Sequence, residues 1–74
     1  MNIKKMNYEE HHRATTNGVK LRFRIYRGII NEDDACIELI SNNNEEAIVG
    51  QMVDTYDEAW AVLHAWEKMA EIFM

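Results

Sequence analysis

The 74-residue chain contains no proline, one cysteine and three glycines. Without proline there is no stiff extended linker and no Pro-rich ligand segment. The lone cysteine, Cys36, excludes an internal disulfide and a zinc site built on cysteine pairs, and it fits a reducing compartment. Apolar runs extend over only a few residues, far short of a bilayer span. The first six residues, M-N-I-K-K-M, carry two lysines with no apolar segment behind them, so they do not read as a signal peptide. The cytoplasm is the expected location. No Gly-rich phosphate loop, Ser-centred elbow or metalloprotease motif is found, so neither an enzyme nor a cofactor is expected.

Positive charge is almost missing from the second half. Residues 1–28 hold seven Lys or Arg against two acids, a balance of +5, while residues 29–74 hold one base, Lys68, against eleven acids, a balance of −10. Such asymmetry bears on partners. An apolar fraction of 47% is ample for a core and argues against disorder. One small domain covering residues 1–74 is expected, and a chain of this length hides only about 60% of its unfolded surface.

What is present is organised around Val19 to Tyr26. Val19, Leu21, Phe23 and Ile25 alternate with Lys20, Arg22, Arg24 and Tyr26. Period-two alternation places one set on a core and leaves the other in water. A strand is expected at 19–27, a loop at 28–34, and a second strand at about 35–41. That strand puts Ala35, Ile37 and Leu39 on the core and Glu38 near Arg24 as a cross-strand ion pair. Asn42 to Glu46 reads as a turn, the asparagines tolerating left-handed geometry. A third strand follows at about 47–53. It is apolar on both faces, as a central strand or one covered on both sides would be, and Gly50 within it suggests a bulge or a close approach. Thr55 and Glu58 form a capping box for a helix running to about Ile72. Its core stripe is Ala59, Leu63, Trp66, Ala70 and Phe73, with Trp60 at the border.

Residues 1–17 are expected to be a poorly ordered segment or short helix, from the cap-like pair Asn7 and Glu10, leading into an extended segment; the reading set against it is a strand through His12, Ala14 and Thr16, from the Asn17-Gly18 hairpin signal. The expected fold class is α+β, a three-stranded antiparallel sheet covered by one long C-terminal helix (β-β-β-α, with or without a short N-terminal helix). In element order this resembles double-stranded-RNA-binding domains, integrase-type DNA-binding modules and the partial-ferredoxin domains of some antitoxins. No residue motif accompanies the likeness.

Candidate chemistry is sparse. Glu9, Glu10, His11 and His12 are metal-ligand types, but adjacent residues point apart and a third ligand would have to come from His64; no metal site is expected. Cys36 has acidic sequence neighbours, which disfavour a thiolate. Lys20, Arg22, Arg24 and Tyr26 combine cations at about 6.8 Å intervals with an aromatic ring, a pattern able to follow phosphates. The acids Glu32, Asp33, Asp34, Asp54, Asp57 and Glu58, with Glu45-Glu46, concentrate in loops and at the helix start. If the sheet is antiparallel, the loops at 29–34 and 54–58 share one end of it. A carboxylate cluster there can occupy a basic surface of another protein. In size, acidity and lack of catalytic motifs the chain is similar to the small inhibitors of bacteriophages, anti-CRISPR and anti-restriction proteins among them. The expected function is therefore a non-enzymatic accessory or inhibitor protein that binds a protein of nucleic-acid metabolism. The alternative is a nucleic-acid-binding regulator or antitoxin using the basic strand. No membrane partner is expected, and a homodimer is, since Ile40 and Ile72 lie off the core and the sheet must have edges.

Overall fold

The computed structural model describes residues 7–73. Four strands and one helix follow in order: β1 (Tyr8–Ala14), β2 (Lys20–Arg27), β3 (Ala35–Ile40), β4 (Ala47–Val53) and α1 (Tyr56–Phe73). The fold is α+β, but the sheet has four strands rather than three. It is an antiparallel meander in the order β1-β2-β3-β4.

The added strand is β1, in a segment where a short helix or disorder was expected. The hairpin reading of Asn17-Gly18 is the correct one. Gly18 takes φ +89°, a left-handed conformation that suits glycine. The Gly18 amide donates to the Thr15 carbonyl at 3.0 Å, and the Thr15 amide donates to the Val19 carbonyl at 2.9 Å. Thr15 itself is buried, and its hydroxyl accepts from the Val19 amide at 2.9 Å. The hairpin register pairs Glu9 with Ile25, His11 with Phe23 and Arg13 with Leu21. Glu9, His11 and Arg13 therefore share the face on which β2 buries its apolar side chains. Residues 1–6, the rest of the uncertain start, lie outside the described residues.

The core lies between this face and α1. Leu21, Phe23 and Ile25 from β2, Ala35 and Ile37 from β3, and Ala59, Leu63 and Ala70 from the helix form one buried cluster. The helix packs against β2, β3 and β4. Its start is capped as expected. The Glu58 amide donates to the Thr55 hydroxyl, and that hydroxyl donates to Glu58 Oε1, both at 3.2 Å. The expected stripe holds for Ala59, Leu63 and Ala70, and Trp66 is half-buried with its ring stacked on Phe23 at 6.4 Å between centroids. Phe73 departs from it, with 77% of its surface exposed. An 18-residue helix is about 27 Å long, longer than the roughly 20–26 Å of these strands, so its last turn outruns the core.

β4 is not central. It is an edge strand, and six of its seven residues are exposed. Gly50 marks a close approach: a Cβ there would stand 3.4 Å from Glu38 Cγ, so the Glu38 side chain lies over it. The irregularity in the ladder falls elsewhere, between Leu39 and Ile40. The left-handed residue in the following turn is Glu45, with φ 65°, and not an asparagine. Ile40, expected on the wet face, is buried at the base of this turn. Among the described residues no helix is long and apolar enough to cross a membrane.

Candidate functional site

The basic strand face is closed by the protein's own carboxylates. β1 sets Glu10 directly opposite Arg24, and the 41–46 turn brings Glu45 over the same strand. Arg22 reaches Glu45 at 2.6 Å and Glu10 at 3.2 Å; Arg24 reaches Glu45 at 2.8 Å and Glu10 at 3.1 Å. Two guanidiniums and two carboxylates thus form a closed network, the arrangement in which surface ion pairs matter most. Hydrogen bonds from Arg24, then from His12 and Arg22, hold the Glu10 carboxyl down to about 2. Glu45 is lowered in the same direction, first by Arg22 and then by Arg24. The Arg24 guanidinium also lies 4.7 Å from the Tyr8 ring centre, and Tyr8 packs against Tyr26 at 5.3 Å. Of the expected phosphate-binding set, Arg22 and Arg24 are engaged internally and Tyr26 packs against Tyr8 with the rings tilted by 50°. Lys20 alone is in no ion pair among the described residues.

Glu38 does stand opposite Arg24 in register, as expected. No ion pair joins them among the described residues. Its charge, together with burial, acts instead on the Tyr26 hydroxyl, whose pKa rises, burial being the larger cause. The partners of the stripe are Glu10 and Glu45. Neither was placed there from sequence, because Glu10 belongs to the unrecognised strand and Glu45 reaches back from a turn.

The acidic set is divided by the structure. Asp34 is buried and accepts three backbone amides, from Ile29 at 2.6 Å and from Ile30 and Asn31 at 2.9 Å. These bonds, Asn31 first, lower its pKa. Asp34 therefore shapes the β2–β3 loop, as a turn aspartate does. Glu58 is occupied in the helix cap. Glu32, Asp33 and Asp57 share one shallow depression with Arg27, Thr55 and Tyr56. The 28–34 loop and the helix start do meet at one end of the sheet. Arg27, an exposed residue, lines the depression as well, its guanidinium 4.2 Å from the Tyr56 ring centre. Asp54 is exposed nearby in sequence. Among the described residues none of Glu32, Asp33, Asp54 and Asp57 forms an ion pair.

A second polar line runs between β1 and the helix. The Tyr56 hydroxyl donates to Glu9 at 2.7 Å, and His11 lies 3.1 Å from the same carboxylate oxygen. The Tyr56 bond is the main cause of the lowered Glu9 pKa. The His11 ring meets Trp60 edge-on at 4.6 Å, and Arg13 lies 5.6 Å from the Trp60 ring centre. Glu9 and His11 are hydrogen-bonded beside the core, whereas Arg13 Nε is buried with no hydrogen-bond partner among the described residues. They do not gather a metal: His11 and His12 point to opposite faces, and no cluster of three or more His, Cys, Asp or Glu is found among the described residues. Cys36 is half-buried, and burial, followed by Glu38, pushes its thiol pKa up, away from a nucleophile.

An apolar groove opens between the last turns of α1 and β4. Leu39, Val49, Trp66, Met69, Ala70 and Phe73 line it. No protein-family model, curated protein or solved structure matches the chain.

Proposed function

We propose that this chain works by binding another protein rather than by catalysis, and that its acidic end is the contacting surface. The observation that carries the reading is the unequal treatment of its charges. The two arginines at the centre of the basic strand are locked to Glu10 and Glu45. Glu32, Asp33, Asp54 and Asp57 are in no ion pair among the described residues, and the one cation that lines the depression with them is the exposed Arg27. Among the described residues acids outnumber bases at that end, and the net charge of the chain is −5. A surplus of this sign repels a polyanion and steers a basic protein surface into contact. A protein of nucleic-acid metabolism offers such a surface where it grips phosphates. Occupying it makes the chain an accessory or inhibitor protein of the kind bacteriophages encode. The same charge distribution weighs against the nucleic-acid-binding alternative.

The test is affinity capture from nuclease-treated bacterial lysate with three baits. A partner held by wild type, kept by the triple serine variant at Lys20, Arg22 and Arg24, and lost with D33K/D57K supports the reading. A partner lost with the triple serine variant and kept by D33K/D57K overturns it. Direct titration with duplex DNA or RNA at physiological salt adds a second check, because submicromolar affinity there exceeds nonspecific contact, which is no tighter than about micromolar.

A further inference from the structure

The two edges of the sheet are built differently. Edge strands expose unpaired backbone donors and acceptors, and proteins ordinarily blunt them with charge, proline or bulges. β1 is blunted along its length: Glu9, Glu10, His11, His12 and Arg13 occupy both of its faces. β4, at the other edge, reads A-I-V-G-Q-M-V, seven residues with no charge and no proline. Its ladder irregularity, at Leu39/Ile40, skips Ile48 and leaves Val49 to Val53 regularly paired with β3. Large apolar side chains stand exposed on both sides of it, Ile48 and Met52 on the open face and Val49 on the helix face. Beside Val49 the helix presents Met69 and Phe73, which line the apolar groove with it. Ile72, in the same overhanging turn, is 70% exposed.

We propose that two copies of the chain associate through β4, the two edge strands pairing antiparallel about Gly50 into one continuous eight-stranded sheet. A second copy is the occupant that the strand itself specifies. Antiparallel partners share a face, so pairing about Gly50 sets Ile48 opposite Met52 of the second copy, and Met52 opposite its Ile48. Val49 and Gln51 oppose one another on the helix side. Gly50 faces Gly50 at the two-fold axis, with the Glu38 side chain of each copy lying over its own glycine. One surface patch therefore complements itself, as a two-fold interface requires. The neutral strand allows this despite the negative charge of each copy. Glu38, the nearest acid inside the sheet, is rooted one strand back from the seam, but its side chain lies over Gly50, so the two Glu38 carboxylates approach one another across the axis as like charges and weaken the pairing. The overhanging end of α1 lies over the seam, where Phe73 and Met69 lose their exposure.

The exposed apolar side chains on both sides of β4 and on the last helical turns amount to several hundred Å², against about 800 Å² per partner in a standard interface. Glu46 and Asp54 of the second copy meet at each end of the seam as like charges in water. Both facts fit a dimer that dissociates in the micromolar range rather than a permanent one. The acidic depression lies on the helix-start side of each copy and remains open, so dimerisation and partner capture are separable.

The experiment is light scattering coupled to size exclusion, at about 100 µM, above the dissociation range expected for an interface this small. Wild type is expected near twice the chain mass of 8.7 kDa. I48K and M52E each sit at exposed positions, and circular dichroism confirms that each variant is folded. Each alone is expected to run as a monomer, because a charge then faces an apolar residue across the seam. Mixed in equal amounts they are expected to form a heterodimer, since the register brings Lys at 48 against Glu at 52 while Met52 meets Ile48. A monomeric wild type at this concentration overturns the proposal. So does a dimer that survives both substitutions, and so does failure of the two folded variants to pair with one another.

Discussion

Leu63 should be the residue whose truncation the fold tolerates least. It is fully buried, one of the four largest side chains with no exposure, and packs within the cluster that includes Phe23, Ile25 and Ile37. Leu63→Ala removes three carbons from that site, a transfer cost of about 2.4 kcal/mol at ~0.8 kcal/mol per methylene. The cavity left behind adds on the order of 1 kcal/mol if half the lost volume stays empty. The total, about 3–4 kcal/mol, stands against a whole stability of about 4–11 kcal/mol for a chain of this length. Urea denaturation followed by tryptophan fluorescence reads the effect, since Trp60 and Trp66 flank Leu63 on the helix. With a slope near 1 kcal/mol/M, the midpoint should fall by about 3 M. Phe73→Ala is the control. It removes a larger side chain from the same helix, but from an exposed turn, and should shift a dilute sample by under about 0.5 kcal/mol. Trp66→Ala should fall between the two and above Trp60→Ala, because Trp66 stacks on buried Phe23 while Trp60 meets His11 and Arg13. A Leu63→Ala loss below about 1 kcal/mol, or one no greater than that of Phe73→Ala, would show that the helix does not close the core in this phase.

Acid stability follows from the carboxylates. Glu10 titrates at about 2 in the folded chain against an ordinary value of 4.5, and Glu9, Glu45 and Asp34 are lowered as well. A folded pKa below the unfolded one adds stability that is complete above the unfolded value and is lost as pH falls through the folded value. The urea midpoint should therefore be flat from pH 7 to 5 and fall between about 4.5 and 2, with a shallower fall in E10Q/E45Q; equal acid slopes in the two proteins would count against the network. The same double variant should also uncover the basic strand. Lys20, Arg22 and Arg24 then make three phosphate contacts, giving weak duplex DNA binding with a log K against log salt slope of about −2.7, where wild type shows none. Equal binding by wild type and variant in a fluorescence anisotropy titration would mean the carboxylates do not mask the strand.

The elements legible in the sequence were those with an apolar side facing a single layer. β2 alternates without a break, and α1 carries a cap and a three-four apolar spacing, so both were found within a residue or two of their observed ends. β1 was hidden because its core-facing positions are Glu9, His11 and Arg13. Those side chains lie against aromatic rings and β2; Tyr56 hydrogen-bonds Glu9 from the helix, while Arg13 Nε is buried with no hydrogen-bond partner among the described residues. Periodicity detects burial of apolar atoms and is silent where polar groups are paired at the margin of a core. β4 misled in the opposite sense. Its two apolar faces suggested a central strand or one covered on both sides, whereas it lies at the edge with six of its seven residues exposed. An apolar strand reports that its faces seek cover, not that the same chain supplies it. In the acidic set, Asp34 could not be separated from Asp33 by composition; only the three amides converging on Asp34 distinguish them.

Once β1 is in place, the division of charge along the chain has a structural reason. The basic first half contains the strand face that must be neutralised. One neutralising acid, Glu10, comes from that half, and the other, Glu45, comes from the acidic half through a turn held in a left-handed conformation. A non-glycine residue at φ 65° is uncommon, and here it places a carboxylate against two guanidiniums at 2.6 and 2.8 Å. The surplus of acid that remains is therefore displaced toward the loop and helix-start end, away from β2. β4 stays free of charge between Glu46 and Asp54. One end thus carries the unpaired acids and one edge the exposed apolar side chains, and Asp54 borders both.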